Sequence, residues 1–254
     1  MFVVLAFVAT GARAATLARV NDESAPNSAW DDYASLRDRF IALVRSLDDL
    51  QLDTHVPMCP DWTVTGVAAH VCGLNADLVS GMTGGLGTDE RTARQVATRS
   101  GATIDEICTE WLGYESAMRA VCERTPLWAI RLAADLAVHL IDVQHALGLP
   151  IDHDDRFTTS AAHRYAEIFQ GRVGEILGLG VAVELTDHFR LSANAELPDS
   201  GVVLRAAPFD FLRSYTARRS RRQVEALDWQ GDPSQILDEA WSPYGTFQPD
   251  DVID

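Results

Sequence analysis

Two stretches of the chain put histidine where a helix should be apolar. In "PMCPDWTVTGVAAHVCGL", Thr63 can cap a helix after the turn formed by Cys59, Pro60 and Asp61. Val67, Val71, Leu74 and Leu78 then recur at helical spacing, and His70 falls on the same buried stripe. In "LWAIRLAADLAVHLIDVQHALGLP", Leu132, Leu136, His139, Val143 and Ala146 share a face. Asp135 stands one turn before His139, so a carboxylate and an imidazole project together. Two inward imidazole nitrogens and one carboxylate oxygen make a metal-ligand set that leaves a position for water or substrate, as in catalytic zinc sites. The same residues admit a second reading, in which a buried histidine hydrogen-bonds Asp135 and no metal is involved. Left unpaired, the three groups would cost about 1–3 kcal/mol each. Asp142 and His145, further along, are either supports for the ligands, an alternative ligand, or helix surface. For His145 the surface reading is preferred, because bundle metal sites draw their ligands from the inward stripe.

A second kind of chemistry would need a nucleophile or an anion grip. None of the four cysteines (Cys59, Cys72, Cys108, Cys122) falls on the inward stripe of the His139 helix, and Cys72, two residues past His70, is turned away from it by about 200°. Any thiol used here should therefore come from outside the protein. No C-x-x-C pair occurs, and the cysteines lie in or beside helical patterns, which favours reduced thiols and a cytoplasmic location. Arg218, Arg219, Arg221 and Arg222 form the only dense basic cluster. They read either as a solvated helix end or as a grip for carboxylates, with Arg218 and Arg219 the better candidates for a catalytic role.

The elements that must position these residues are mostly helices. The 254 residues, 47% of them hydrophobic, suffice for one large domain or two small ones. A net charge of −16 excludes general binding to a nucleic-acid backbone and disfavours an anionic membrane surface. Four amphipathic helices can be read: one carrying Tyr33, Leu36, Phe40, Val44 and Leu47; one from about Thr63 to Ser80; one from about Ile104 to Cys122; and one after Pro126, ended by Gly148 and Pro150. "GMTGGLGTDE" reads as a flexible connection, since no strand precedes it and no G-K-[ST] follows. Mostly short links imply an antiparallel four-helix bundle over residues 29–150. Beyond Pro150, "TTSAAHRYAEIFQGRVGEIL" predicts a helix, "VAVELTDHF" and "GVVLRA" strands, "PFDFLRSYTARR" a helix and "RQVEALDW" a strand. The fold class is therefore α+β, with a smaller mixed α/β domain over residues 151–254. Residues 1–28 hold a short apolar run and an A-x-A-like ending, Ala12-Arg13-Ala14, but no preceding lysine or arginine. They read as a disordered or mis-started tail, with a secretory signal as the rival, and the run is too short to span a bilayer.

"VPMCPDWTVTGVAAHVCGLNADLVSG", "RLAADLAVHLIDVQHALGLP" and, downstream, "RRSRRQVEALDWQGDP" together resemble the mycothiol-dependent maleylpyruvate isomerase family of actinobacteria, over most of the chain from about Trp30 to Pro233. The resemblance implies a DinB-like amino-terminal bundle, a carboxyl-terminal domain across the cleft and a divalent metal, usually zinc. It also implies one ligand on the second helix and an E-x-x-x-H pair on the fourth, positions held here by His70, Asp135 and His139, so aspartate replaces the family's glutamate. An arginine from the second domain is implied near the site. Two functions follow as expectations. One is an enzyme in which metal and a thiol such as mycothiol attack a small electrophile, by S-transfer or isomerisation. The other is a non-catalytic metal-binding or small-molecule-binding regulatory module. Neither expectation includes a nucleic acid or membrane partner, and the oligomeric state is not legible.

Overall fold

The computed structural model describes residues 29–254, so the amino-terminal stretch read as a tail or signal lies outside the described residues. Helix α1 (Ala29–Arg45) buries Tyr33, Leu36, Phe40 and Val44 of the stripe expected of it, while Leu47 lies beyond its end and is half-buried. A short α2 (Asp49–Leu52) leads into a two-stranded ribbon, β1 (His55–Val56) and β2 (Cys59–Thr63). Thr63 closes the ribbon and caps α3 (Val64–Val79) by accepting from the Gly66 N–H at 3.3 Å.

The connection after α3 is a loop only as far as Thr88. That residue caps α4 (Asp89–Ala97), whose inward residues are Thr92 and Gln95. Its buried face is polar, so the search for an apolar stripe passes it by. The expected third helix is two: α5 (Ile104–Gly113) and α6 (Glu115–Arg124), broken at Tyr114. Helix α7 (Leu127–Ala146) follows Pro126 and ends where Gly148 takes φ 61°, a left-handed conformation that glycine adopts without steric cost. Helices α1, α3, α5 with α6, and α7 pack together as the bundle.

Helix α8 (Arg156–Leu177) lies against α7 on one side and against the second half of the chain on the other. That half holds a mixed four-stranded sheet in the order β4-β3-β5-β6, made of β3 (Gly180–Leu185), β4 (Arg190–Leu191), β5 (Asp199–Ala206) and β6 (Asp228–Gln230). Strands β3 and β5 run parallel and the outer pairs antiparallel. Between β5 and β6 come α9 (Pro208–Tyr215) and α10 (Arg221–Glu225). In "RQVEALDW" the first four residues are helical and only the last two, Asp228 and Trp229, lie in a strand, so the expected strand is confined to its end. Helix α9 also stops earlier than expected. Ala217 takes φ 64°, the Arg218 N–H donates to the Arg213 carbonyl at 2.8 Å and the Ala217 N–H to that of Ser214 at 3.2 Å. This is a Schellman ending with alanine where glycine is usual. The segment after it, with Arg218 and Arg219, is a turn folded back on the bundle rather than a helix end.

Among the described residues no helix is long and apolar enough to cross a membrane. All four cysteines are free.

Candidate metal centre

The two histidines and the aspartate meet. His70 Nε2 lies 4.0 Å from Asp135 Oδ2 and His139 Nε2 3.9 Å from Asp135 Oδ1, with relative exposures of 3%, 4% and 1% for His70, Asp135 and His139. Each can offer one ligand atom, and these atoms all lie within 4.8 Å of one another. Their separations are too long for hydrogen bonds. Donors bound about 2 Å from one ion in a tetrahedron stand roughly 3.3 Å apart, so the two carboxylate contacts would close by about 0.6–0.7 Å, and the widest pair by at most about 1.5 Å, to bring the three onto a shared cation. The alternative of an aspartate simply hydrogen-bonded to a histidine does not match this geometry.

Both outer ring nitrogens already have partners. His70 Nδ1 is 2.9 Å from Gln95 Oε1 on α4, and His139 Nδ1 is 3.4 Å from Asp142 Oδ2 one turn along α7. Such supports orient a metal-binding imidazole and leave its Nε2 lone pair free. Trp62, delivered by β2, lies over His70 with ring centroids 4.8 Å apart, and its ring centroid is 6.3 Å from that of His139. Burial, with a smaller contribution from the neighbouring His139, lowers the His70 pKa to about 3, so its ring is neutral. Burial also opposes charge on His139. There the bonds to Asp142 and Cys59 and the Asp135 charge together outweigh it and push the pKa up to about 10. A cation at Nε2 would have to compete with that proton. Burial raises the Asp135 pKa.

Asp142 is a support of the site rather than surface. It is fully buried and receives Arg213 Nη1 at 2.6 Å and Arg218 Nη2 at 2.6 Å, and the two guanidinium groups hold its carboxyl well below the usual range against the burial that opposes this. Cys59 Sγ completes the cluster, 4.0 Å from His139 Nδ1, 3.9 Å from Asp142 Oδ2 and 3.9 Å from Arg218 Nη2. Spacing along the chain misses this cysteine, because the ribbon and not a helix carries it. Cys59, His139 and Asp142 also have metal-ligand spacing. Two guanidinium groups already occupy that carboxylate, however, and a further cation there would be repelled.

The expected anion grip is engaged within the chain. Arg218, 1% exposed, also donates to the Thr216 carbonyl at 2.5 Å. Arg219 donates to Asp254 Oδ2 at 2.6 Å, and the same carboxylate takes two bonds from Arg213 and stands 3.1 Å from His145 Nδ1. His145 is thereby 3.1 Å from a buried carboxylate rather than simply at the surface. Arg221 and Arg222 pair with exposed or half-buried acids at the periphery. The remaining thiols are poor nucleophiles, since burial pushes Cys72 up to about 12 and Cys122 up to about 11 and raises Cys108.

A helical bundle with an inward His, Asp, His set, followed by a small mixed sheet, defines the class: a two-part α+β protein with a metal centre candidate in its helical part. Residues 33–144 match the family described as the mycothiol maleylpyruvate isomerase N-terminal domain. The fold as a whole is similar to the crystal structure of a histidine-to-alanine mutant of the mycothiol-dependent maleylpyruvate isomerase. The TM-score is 0.52 at 13% identity over 79% of this chain and 91% of that one. No curated protein sequence matches the chain. The likeness to the solved structure is one of fold, and the family match lies within the helical part.

Proposed function

We propose that the chain is a metal-dependent thiol enzyme of the maleylpyruvate-isomerase kind, which brings mycothiol or a similar low-molecular-weight thiol to a small electrophilic substrate for isomerisation or S-transfer. One observation carries the reading: two histidine Nε2 atoms and a carboxylate converge in a buried space without bonding one another, while each outer ring nitrogen has its own partner. His70, Asp135 and His139 would hold a divalent ion, and the two-imidazole, one-carboxylate set suits zinc. Such an ion, when bound, lowers the pKa of a thiol that reaches its remaining position and so supplies a thiolate at neutral pH.

The chain's own residues do the rest. Asp142 is placed to keep a proton on His139 Nδ1, and Gln95 on His70 Nδ1, which leaves both Nε2 atoms as donors. Trp62 keeps water from the His70 face. Burial keeps Cys72, Cys108 and Cys122 protonated, and the thiol of this reading comes from solution. Arg218 and Arg219 could take a substrate carboxylate only by exchanging Asp142 or Asp254 for it, so Arg218 serves first as a positioning residue for Asp142.

Metal analysis of the purified protein followed by calorimetric titration with mycothiol tests the reading. About one equivalent of zinc or a similar ion, and thiol binding that releases a proton and tightens as pH rises toward the free thiol's pKa of roughly 8.5, is the expected result. Metal-replete protein that binds no thiol at millimolar concentration would instead be the non-catalytic module, a reading that the internal engagement of Arg218 and Arg219 favours.

A further inference from the structure

What His70 can do depends on which ring nitrogen carries the proton, and its own helix does not settle that. The neighbouring α4 does. Gln95 Oε1 stands 2.9 Å from His70 Nδ1. A carboxamide can present either its oxygen or its NH2 group, so the question is what prevents it from turning over. Asp77 prevents it: its Oδ2 accepts from Gln95 Nε2 at 2.7 Å and from Arg91 Nε at 2.7 Å. Turning the amide would set oxygen against carboxylate at one end and a hydrogen against the ring at the other. Arg91 is anchored in turn by the carbonyls of Met82 at 2.6 Å and Gly84 at 3.1 Å, in the glycine-rich loop. Gln95 and Asp77 are 4% and 6% exposed, so water does not compete. The approach is possible because Gly73 lies one turn beyond His70: a Cβ there would stand 2.6 Å from Gln95 Cβ.

We propose that Gln95, locked in orientation by Asp77 and Arg91, is the positioning residue that holds His70 as the Nδ1–H tautomer and thereby presents Nε2 as a ligand. The proposal rests on the metal reading above but makes a claim about the metal-free protein that can be checked separately. Without Gln95 nothing holds the proton on Nδ1, and in the Nε2–H tautomer, which turns its proton toward the Asp135 carboxylate 4.0 Å away, the ligand lone pair would be directed away from the site.

The test uses the full chain and zinc alone as probe. In metal-free wild type, nitrogen-detected NMR should show His70 protonated at Nδ1 and unprotonated at Nε2. Gln95→Leu should lose that preference and bind zinc about 10–100-fold more weakly. Gln95→Glu combined with Asp77→Asn, which keeps an acceptor at Nδ1 and turns an amide donor toward it from position 77, should restore the tautomer and most of the affinity; a merely structural role would show no such rescue. Finding Nδ1 unprotonated in the wild type overturns the proposal without recourse to any variant, and so does a folded Gln95→Leu with unchanged tautomer and zinc affinity. If the wild type shows the Nδ1–H tautomer, Gln95→Leu loses it and neither binds zinc, the positioning role stands and the metal reading falls.

Discussion

Asp135 is one methylene shorter than the glutamate implied at this position by the family resemblance, yet its two oxygens reach within 4.0 Å of both histidine nitrogens. Asp135→Glu is therefore expected to keep its metal, since carboxylate ligands adjust by one methylene where the helix allows it. Metal loss with the fold intact by circular dichroism would show a backbone already set for aspartate. His70→Ala and His139→Ala should each lose the metal equivalent measured by elemental analysis; full retention in both would mean that the ligands lie elsewhere. The two histidines also set the pH dependence. Above the range in which Asp135, raised by burial, gives up its proton and below the His139 pKa of about 10, the metal-free site carries one proton that a metal must displace. Zinc affinity should rise about tenfold per pH unit within that window. Calorimetry in two buffers of different ionisation enthalpy would count the proton, and a count of zero would exclude His139 Nε2 as a ligand.

At the scale of elements, two positions show how local conformation aims side chains at the site. Gly73 lets α4 press against α3, and Gly73→Ala should force the helices apart at a cost of about 1–3 kcal/mol in denaturant unfolding. It should weaken zinc binding as well, through Gln95; a variant that is destabilised but binds normally would separate the packing from the ligand. Ala217 holds the left-handed position of the α9 Schellman ending at φ 64°, which costs a non-glycine residue about 1–2 kcal/mol. Ala217→Gly should relieve that strain at some loss of unfolded-state entropy, for a net gain of about 0.5–1 kcal/mol in thermal or denaturant melts. The missing glycine is also why the sequence extends this helix through Arg219: nothing in "SYTARR" marks an end.

The whole molecule is joined at Asp142. Arg213 and Arg218, separated from it by 71 and 76 residues, bind its carboxylate with all three side chains buried. Arg213→Met removes charge-assisted bonds from Asp142 and Asp254, each of which keeps one other arginine, so it should cost about 1.5–3 kcal/mol, read from denaturant midpoints. The pH profile of metal-free stability follows from the same groups. His70, depressed in the fold, contributes stability above its ordinary pKa of 6.5 that is lost as pH falls toward about 3. Asp142 and Asp254, also depressed, contribute stability that is lost below the ordinary carboxylate value of 3.8. His139, raised, contributes stability below 6.5 that is lost as pH climbs through about 10. Metal-free protein should therefore melt highest near pH 6.5 and lose stability on both sides. A melting temperature still rising at pH 9 would contradict the His139 assignment.

Helical spacing alone located His70, Asp135 and His139 on inward stripes, because a 3.6-residue period places polar residues among apolar ones whatever the rest of the chain does. The same period located the four bundle helices and, with turn signals, most of the second half. Spacing could not find α4, whose buried face is Thr92 and Gln95, nor the break at Tyr114. It could not find the supports either. Gln95, Asp77, Cys59, Arg213 and Asp254 reach the site from elements distant in sequence, and their partners are chosen by packing and by the need of each buried charge for an opposite one. Arg218 and Arg219 were visible as charge, but only tertiary structure decided that both turn inward onto carboxylates of the same chain, because the turn at Ala217 ends α9 early and folds them back toward α7.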